Sequence, residues 1–265
     1  MRTLGMGTTL VAGLMVLCVG EKGKGSNAQT GAQTGAGGGA EAVSDAGSDA
    51  AQAGATISGT IKFTGTRPVM AKIDMSDEPV CKGKYPAAPT KEDVIVNANG
   101  TLDNVFVYVK AGLPAGFKAP AVATPVVLDQ DGCRYHPHVF GVMVGQPLSI
   151  KNSDGIAHNI KAKGVKNRPF NISQPTTMTT PRTFTAAEVM VPVECNVHGW
   201  MKAYVGVLPH SFFAVSGTNG TFSIKGLPPG TYTIEAWHER YGVQTATVTV
   251  AGTATKTQDF TFAAK

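Results

Sequence analysis

Short runs of strand-forming residues, separated by turn signals, follow one another along most of this chain. The runs are rich in Val, Ile, Thr and aromatic residues, and clusters such as NANG at 97–100, DQDG at 129–132 and NSDG at 152–155 lie between them. No long stretch repeats apolar residues at helical spacing. The predicted fold class is therefore all-β. The predicted strands cover residues 56–63, 104–109, 124–128, 138–144, 147–152, 189–194 and 203–208.

The first 55 residues have the composition of a leader and a tether. The apolar stretch TTLVAGLMVLCVG follows Arg2 and is too short to span a bilayer comfortably, so residues 1–20 are predicted to be a secretory or lipoprotein signal. Cys18 resembles the lipid-modified cysteine of a bacterial lipoprotein, although Leu17 departs from that pattern, and a place in a discarded signal is the alternative. Residues 21–55 are mostly Gly, Ala, Ser, Gln and Thr and predict a disordered tether. We expect an exported protein of the periplasm or cell envelope, with a lipid anchor as its only candidate membrane attachment.

Charge and motif content narrow the function classes. A net charge of +5 over 265 residues is a mild excess, and the lysines are scattered, so no nucleic-acid partner is predicted. The sequence has no Gly-x-Ser-x-Gly, no His-Glu-x-x-His and no phosphate-binding glycine loop. The prediction is a protein that is not an enzyme.

The stretch VECNVHGWM at 193–201 places a thiol, an imidazole and a thioether at three-residue spacing between two predicted strands. A tight loop can turn Cys195, His198 and Met201 toward one point, and His158 in NSDGIAHNI supplies a second imidazole from an upstream turn. This donor set suits copper cycling between Cu(I) and Cu(II), whereas a thioether is a poor zinc ligand. The predicted cofactor is one copper ion per chain. Ordinary packing is the alternative for each residue taken singly, above all for Met201, which shares the inward parity of the next strand.

The same residues resemble the cupredoxins, and among them the amicyanin type, whose ligand loop has the same Cys-x-x-His-x-x-Met spacing. The resemblance covers residues 138–209 and implies a Greek-key β-sandwich with a type 1 copper site. It also implies that electrons pass through the ring of His198 at the rim of the sandwich, and that Asn159 braces the ligand loop by a hydrogen bond near Asn196. The chain departs from the family pattern in having no proline between the ligands and in having Glu194 before the cysteine.

From residue 211 the strand pattern restarts, with the turn signals TNG, LPPG and AG. The stretch GTFSIKGLPPGTYTIEAWHE resembles the carboxypeptidase regulatory-like module, a transthyretin-type β-sandwich. The predicted domains are a copper domain with an N-terminal extension at 56–209 and a small β module at 210–265. Modules of this kind are mostly structural or adhesive, so His238 is predicted to be a strand residue and His210 a linker residue.

Two of the four cysteines remain after one is assigned to the leader and one to the ligand loop. Because such a leftover pair in an exported protein usually cross-links, a disulfide between Cys81 and Cys133 is predicted. His136 and His138 follow closely in CRYHPH. A second metal site and a structural turn both stay open for this His-x-His pair.

These features together predict an exported type 1 copper protein that acts in outer-sphere electron transfer. Its predicted partner is a redox protein such as a cytochrome or a dehydrogenase. One alternative is a Cu(I) storage or delivery protein that uses the same residues. The other is a cell-surface protein whose β modules bind a partner and whose metal is structural.

Overall fold

The computed structural model describes residues 54–264, which are built almost entirely from β-strands, as predicted. The predictions for the signal, the tether up to residue 53 and Cys18 fall outside these residues. No helix in the described part is long and apolar enough to cross a membrane. The elements are β1 Ala55–Thr64, α1 Pro79–Gly83, β2 Phe106–Ala111, β3 Val126–Asp131, β4 Arg134–His136, β5 Val139–Met143, β6 Pro147–Asn152, β7 His158–Ala162, β8 Phe170–Gln174, β9 Met178–Thr183, β10 Glu188–Glu194, β11 Lys202–Leu208, β12 Phe213–Val215, β13 Thr221–Leu227, β14 Gly230–His238, β15 Gly242–Val250, β16 Thr255–Thr257 and β17 Phe260–Ala263.

The ligand candidates lie in a first sandwich, formed by residues 126–208. One sheet has the strand order β5-β11-β10-β7-β8 and the other β4-β3-β6-β9. Each sheet contains one parallel pair, β5 with β11 and β3 with β6, among antiparallel pairs. Side chains alternate along the strands, as in β6, where Leu148 and Ile150 are buried between more exposed neighbours. The core between the sheets includes Leu128, Ile150, Ile160, Val191, Val205 and Val207.

A second sandwich combines the C-terminal strands with two strands from the start of the described region. One sheet has the order β13-β1-β16, with β17 also paired to β1, and the other has the order β12-β2-β14-β15. Its core is separate from that of the first sandwich and includes Ile57, Ile61, Val107, Phe222, Ile234 and Phe262. The prediction of a second β-sandwich is therefore confirmed.

The membership of β1 and β2 corrects the boundary drawn from the sequence. That boundary made residues 56–137 an extension of the copper domain, because they precede it in the chain. In the structure β1 pairs with β13, β16 and β17, while β2 pairs with β12 and β14. The inward residues of β1 and β2, such as Ile57 and Val107, are fully buried against C-terminal strands. The hydrophobic effect therefore commits these two strands to the second sandwich.

Two glycines let aromatic rings of the second sandwich lie directly on the backbone of the first. A Cβ on Gly206 in β11 would lie 2.4 Å from Cζ of Phe106, and one on Gly141 in β5 would lie 2.2 Å from Cε2 of Phe213. The two phenylalanine rings stack with their centroids 5.5 Å apart. Any side chain at either glycine would have to displace a ring.

Gly206→Ala is expected to lower the free energy of unfolding by about 1–3 kcal/mol, because the new methyl group overpacks the ring of Phe106. Denaturant unfolding of the two proteins measures the difference. Gly217→Ala is the matched control, since a Cβ there meets no heavy atom within 4 Å. Equal midpoints for the two variants would show that the ring contact does not resist substitution.

Candidate metal centre

Two neighbouring strands bring the predicted ligands to one end of the first sandwich. His158 begins β7, and the ligand loop 195–201 connects β10 to β11. β7 and β10 are antiparallel, with Glu194 opposite Lys161. The start of β7 therefore lies beside the end of β10, and His158 faces the ligand loop.

Three buried donor atoms converge at this end. The Nδ1 atoms of His158 and His198 are 2.8 Å apart, and Sγ of Cys195 lies 3.8 Å from Nδ1 of His198. All three donor atoms lie within 4.8 Å of one another, and each residue is at most 3% exposed. Metal–sulfur and metal–nitrogen bonds of about 2.3 and about 2.0 Å, at roughly 120°, place the two donor atoms about 3.8 Å apart. The sulfur of Cys195 and the nitrogen of His198 therefore have the separation of two ligands of one ion, whereas the two imidazole nitrogens are at hydrogen-bond distance and would have to separate to about 3.5 Å to bind it.

Asn159 holds the ligand loop against β7. Its Oδ1 accepts a hydrogen bond from the backbone N–H of Asn196 at 2.5 Å, and its Nδ2 donates to the side chain of Asn171. The Asn159 backbone N–H points at Sγ of Cys195, 3.5 Å away. The hydrogen bond that the resemblance implied between Asn159 and the loop is thus present.

Met201 closes the ligand loop through its backbone. Its N–H donates to the carbonyl of His198 at 2.9 Å, and its carbonyl accepts from the N–H of Cys195 at 3.3 Å. The side chain is 1% exposed and belongs to the same core cluster as Cys195. A role for its thioether as an axial ligand stays a prediction. Burial does not decide the point, because a side chain that only packs in the core is buried as well.

The site favours a thiolate at Cys195, the free cysteine of the described region. Burial alone would raise the pKa of this thiol, but hydrogen bonds from the side chains of His158 and His198 and from backbone N–H groups lower it to about 5. Burial likewise disfavours the charged form of His158, yet the neighbouring Asp154 carboxylate and the Cys195 thiolate raise its pKa. The thiolate is the form of cysteine that binds metals.

Asp154 fixes the far side of the His158 ring. Its Oδ2 lies 2.8 Å from Nε2 of His158, and its side chain is fully buried. The carboxylate also accepts hydrogen bonds from the backbone N–H groups of Gly132 and Cys133, and Lys84 lies 2.8 Å from it. Because Nε2–H donates to Asp154, Nδ1 is the nitrogen that faces the other donors.

The predicted disulfide is present and lies directly against His198. Sγ of Cys81 is bonded to Sγ of Cys133 at 2.06 Å, and it lies 3.8 Å from Nε2 of His198. Residues 73–89, which contain α1 and Cys81 and are called the cap below, cover this edge of the ring. His198 is 1% exposed. This corrects the expectation that its ring lies open at the rim of the sandwich.

The two histidines of the His-x-His pair have different surroundings in the structure. His138 is buried, with Nε2 at 2.5 Å from Oε1 of Glu239 and Nδ1 at 3.0 Å from the carbonyl of Lys202. His136 ends β4 and is exposed. Over residues 54–264, neither histidine belongs to a group of three candidate ligands. In the structure the pair spans the end of β4 and the short connection to β5.

Sequence reasoning missed Asp154 and the cap. Asp154 lies in NSDG, a turn signal, and its carboxylate stands four residues before the candidate ligand His158, a spacing that is visible in the sequence. The cap carries the predicted disulfide, but no local signal indicated that it covers His198.

The family comparison matches the C-terminal part of the chain. Residues 202–263 match the model of the carboxypeptidase regulatory-like domain, which agrees with the resemblance described above. The match covers β11 to β17 and leaves out β1 and β2, which complete the second sandwich. No curated protein matches the chain significantly.

Solved structures of copper proteins align with part of the chain. A copper-containing nitrite reductase from Thermus scotoductus SA-01 aligns over 37% of this chain and 25% of its own, with 22% identity and a TM-score of 0.30. An oxidised amicyanin mutant aligns over 38% and 97%, with 20% identity and a TM-score of 0.29. A purple cupredoxin from Nitrosopumilus maritimus aligns over 31% and 97%, with 22% identity and a TM-score of 0.26. These likenesses are too low to assign a function, which we base on the site.

Proposed function

We propose that this protein binds one copper ion through Cys195, His158 and His198, with Met201 as a weak fourth ligand, and carries single electrons. The observation that carries the proposal is the convergence of one thiol and two imidazole Nδ1 atoms at a buried point. Copper bound by such a set changes between Cu(I) and Cu(II) by gaining or losing one electron.

The residues around the donors support a site that keeps its shape. Cys195 presents a thiolate whose pKa of about 5 is held low by its hydrogen-bond donors. Asp154 fixes the orientation of the His158 ring, and the Asn159 side chain holds the backbone of the ligand loop. A site held in this way has little room to rearrange when the charge of the ion changes.

The setting of the protein belongs to the same proposal. A disulfide between Cys81 and Cys133 is a bond that persists in oxidising compartments, which supports an exported protein. We assign it to the periplasm or cell envelope, with another redox protein as its partner. Three function classes are open: an electron carrier, a Cu(I) storage or delivery protein, and a binding protein with a structural metal. A buried site that contains the free thiol of Cys195 favours the electron carrier.

Copper is added to the protein while the Cys81–Cys133 disulfide is reduced, and the cysteine pair and the ion are then oxidised. The loaded Cu(II) protein is expected to give an intense thiolate-to-copper absorption near about 600 nm. Cys195→Ser is expected to abolish this band, because the serine oxygen cannot supply the charge transfer. Met201→Leu, which conserves volume, is the matched control and should keep the band while altering the EPR spectrum. Visible and EPR spectroscopy of the three proteins make the measurement.

A colourless Cu(II) complex, or a band that survives in Cys195→Ser, would overturn the proposal. Binding of Cu(I) alone, with no reversible voltammetric couple, would instead favour the storage or delivery class. These outcomes separate the two copper functions without knowledge of the partner.

A further inference from the structure

The cap covers the side of the His198 ring that faces away from the first sandwich. Two cap residues lie beside the ring, Cys81 with Sγ and Glu78 with Oε1, each 3.8 Å from Nε2 of His198. Below them, Ile73 and Met75 form a buried cluster with the disulfide, against which Trp200 packs. The cap is therefore the layer between the ring and solvent on this side.

The cap is attached at its neck, at a few points on the turn that follows β3, and through an ion pair of 2.8 Å between Lys84 and the buried carboxylate of Asp154. At the neck, the N–H of Ile73 donates to the carbonyl of Pro89 at 2.8 Å. Over the site, the disulfide joins Cys81 to Cys133, and the Tyr85 hydroxyl donates to the carbonyl of Gly132 at 2.7 Å. Its regular structure is the five-residue helix α1. A segment with so little backbone pairing depends on its cross-link to stay in place.

We propose that the cap is a gate for metal exchange, locked by the Cys81–Cys133 disulfide. With the disulfide formed, His198 and Cys195 are closed to ions, chelators and small ligands. With the cysteines reduced, the cap opens at its neck and the donors become accessible. Metal loading therefore precedes oxidation of this cysteine pair. This inference rests on the proposed metal site, although the closure itself does not require a metal.

The metal-free protein tests the gate by histidine labelling with diethyl pyrocarbonate, followed by mass spectrometry at each site. In the oxidised protein, exposed His136 should react and buried His198 should not. Reduction by dithiothreitol breaks the Sγ–Sγ bond, adds two electrons and two protons to give two thiols, and oxidises the dithiol to its cyclic disulfide. Labelling of His198 is then expected to accelerate by about tenfold or more.

Local opening is distinguished from global unfolding within the same sample. His210 and His238 are buried in the second sandwich and should stay unlabelled when the cap opens. Cys81→Ala/Cys133→Ala should match the reduced protein, and Ile234→Ala, which weakens the other core, should leave His198 protected. Equal labelling of His198 in the oxidised and reduced proteins, or joint labelling of all three histidines, would overturn the gate.

Copper extraction separates failure of the gate from failure of the proposed function. Removal of Cu(I) by a competing chelator should be about tenfold or more faster from Cys81→Ala/Cys133→Ala than from the oxidised protein. If the protein binds no copper but His198 labelling responds to reduction, the proposed function fails and the closure stands. If the copper band forms but extraction and labelling are unchanged, the gate fails and the proposed function stands.

Discussion

Asp154→Ala is expected to lower the free energy of unfolding of the metal-free protein by about 3–5 kcal/mol. The carboxylate is fully buried and accepts hydrogen bonds from the N–H groups of Gly132 and Cys133, each at 2.7 Å. It also lies 2.8 Å from both Nε2 of His158 and Nζ of Lys84. Alanine removes the acceptor and leaves these donors without a partner. Each donor that stays buried then costs its full desolvation free energy. Denaturant unfolding at neutral pH measures the loss.

Two matched variants identify which contact matters. Asp154→Asn keeps the shape and one acceptor oxygen, so its cost should be intermediate. Lys84→Ala removes a side chain that is 30% exposed, so its cost should be about 1 kcal/mol or less. Equal losses for Asp154→Ala and Lys84→Ala would contradict a role for the buried network. Because Asp154 orients His158, Asp154→Ala should also weaken copper binding by about 10–100-fold.

Acidification from pH 6.5 to pH 4 is expected to remove about 3 kcal/mol of stability through His238. Burial and the positive charges of His138 and Arg240 lower the pKa of His238 from 6.5 to about 4. Its Nδ1 accepts backbone hydrogen bonds from Arg240 at 3.1 Å and Tyr241 at 3.4 Å, which protonation would abolish. The unfolded chain binds the proton of His238 more tightly than the folded protein does. The contribution of neutral His238 to stability is therefore present above pH 6.5, is lost as the pH falls through 6.5 toward 4, and is gone below the folded pKa.

His238→Asn isolates this effect from other titrating groups. The Asn side-chain oxygen can accept the same backbone hydrogen bonds but does not titrate in this range. The unfolding free energy of the variant relative to that of wild type should therefore rise by about 3 kcal/mol between pH 7 and pH 4. Unfolding titrations of both proteins across this range measure the change. A difference that stays constant with pH would show that His238 is not held neutral in the fold.

The strands of the first sandwich with clear alternation or apolar runs could be predicted from the sequence, including the edge strand β5, whereas the edge strands β8 and β9 could not. β6, β10 and β11 coincide closely with predicted segments, because their inward residues are apolar. β8 and β9 lie at the ends of their sheets, and their sequences FNISQ and MTTPRT are polar. β9 also contains Pro181, which a sheet edge tolerates. These two edge strands bury too few apolar side chains to leave a clear local pattern in the sequence.

The candidate site likewise has a part that the sequence predicts and a part that it does not. The spacing of Cys195, His198 and Met201 is local and fixed by one loop, so the sequence carries it. The cover over His198 comes from Cys81, 117 residues earlier in the chain. Contacts of that range depend on how the two sandwiches and the cap pack, which periodicity and spacing do not encode. The pairing of β1 with β13 and β17 is long-range for the same reason.

The first sandwich (the guest) is inserted in the chain between two strands, β2 and β12, of the second sandwich (the host). The chain leaves the host after β2 and returns at β12, and these two strands are hydrogen-bonded neighbours, with Phe213 opposite Tyr108. Entry and exit of the guest are therefore close together on one host sheet, the arrangement that lets a whole module be inserted or exchanged without rebuilding the host core. A fragment that ends at residue 209 would strip β1 and β2 of their partners. A fragment cut at residues 112 and 212 would keep the candidate metal donors but lose the cap and the disulfide partner of Cys133.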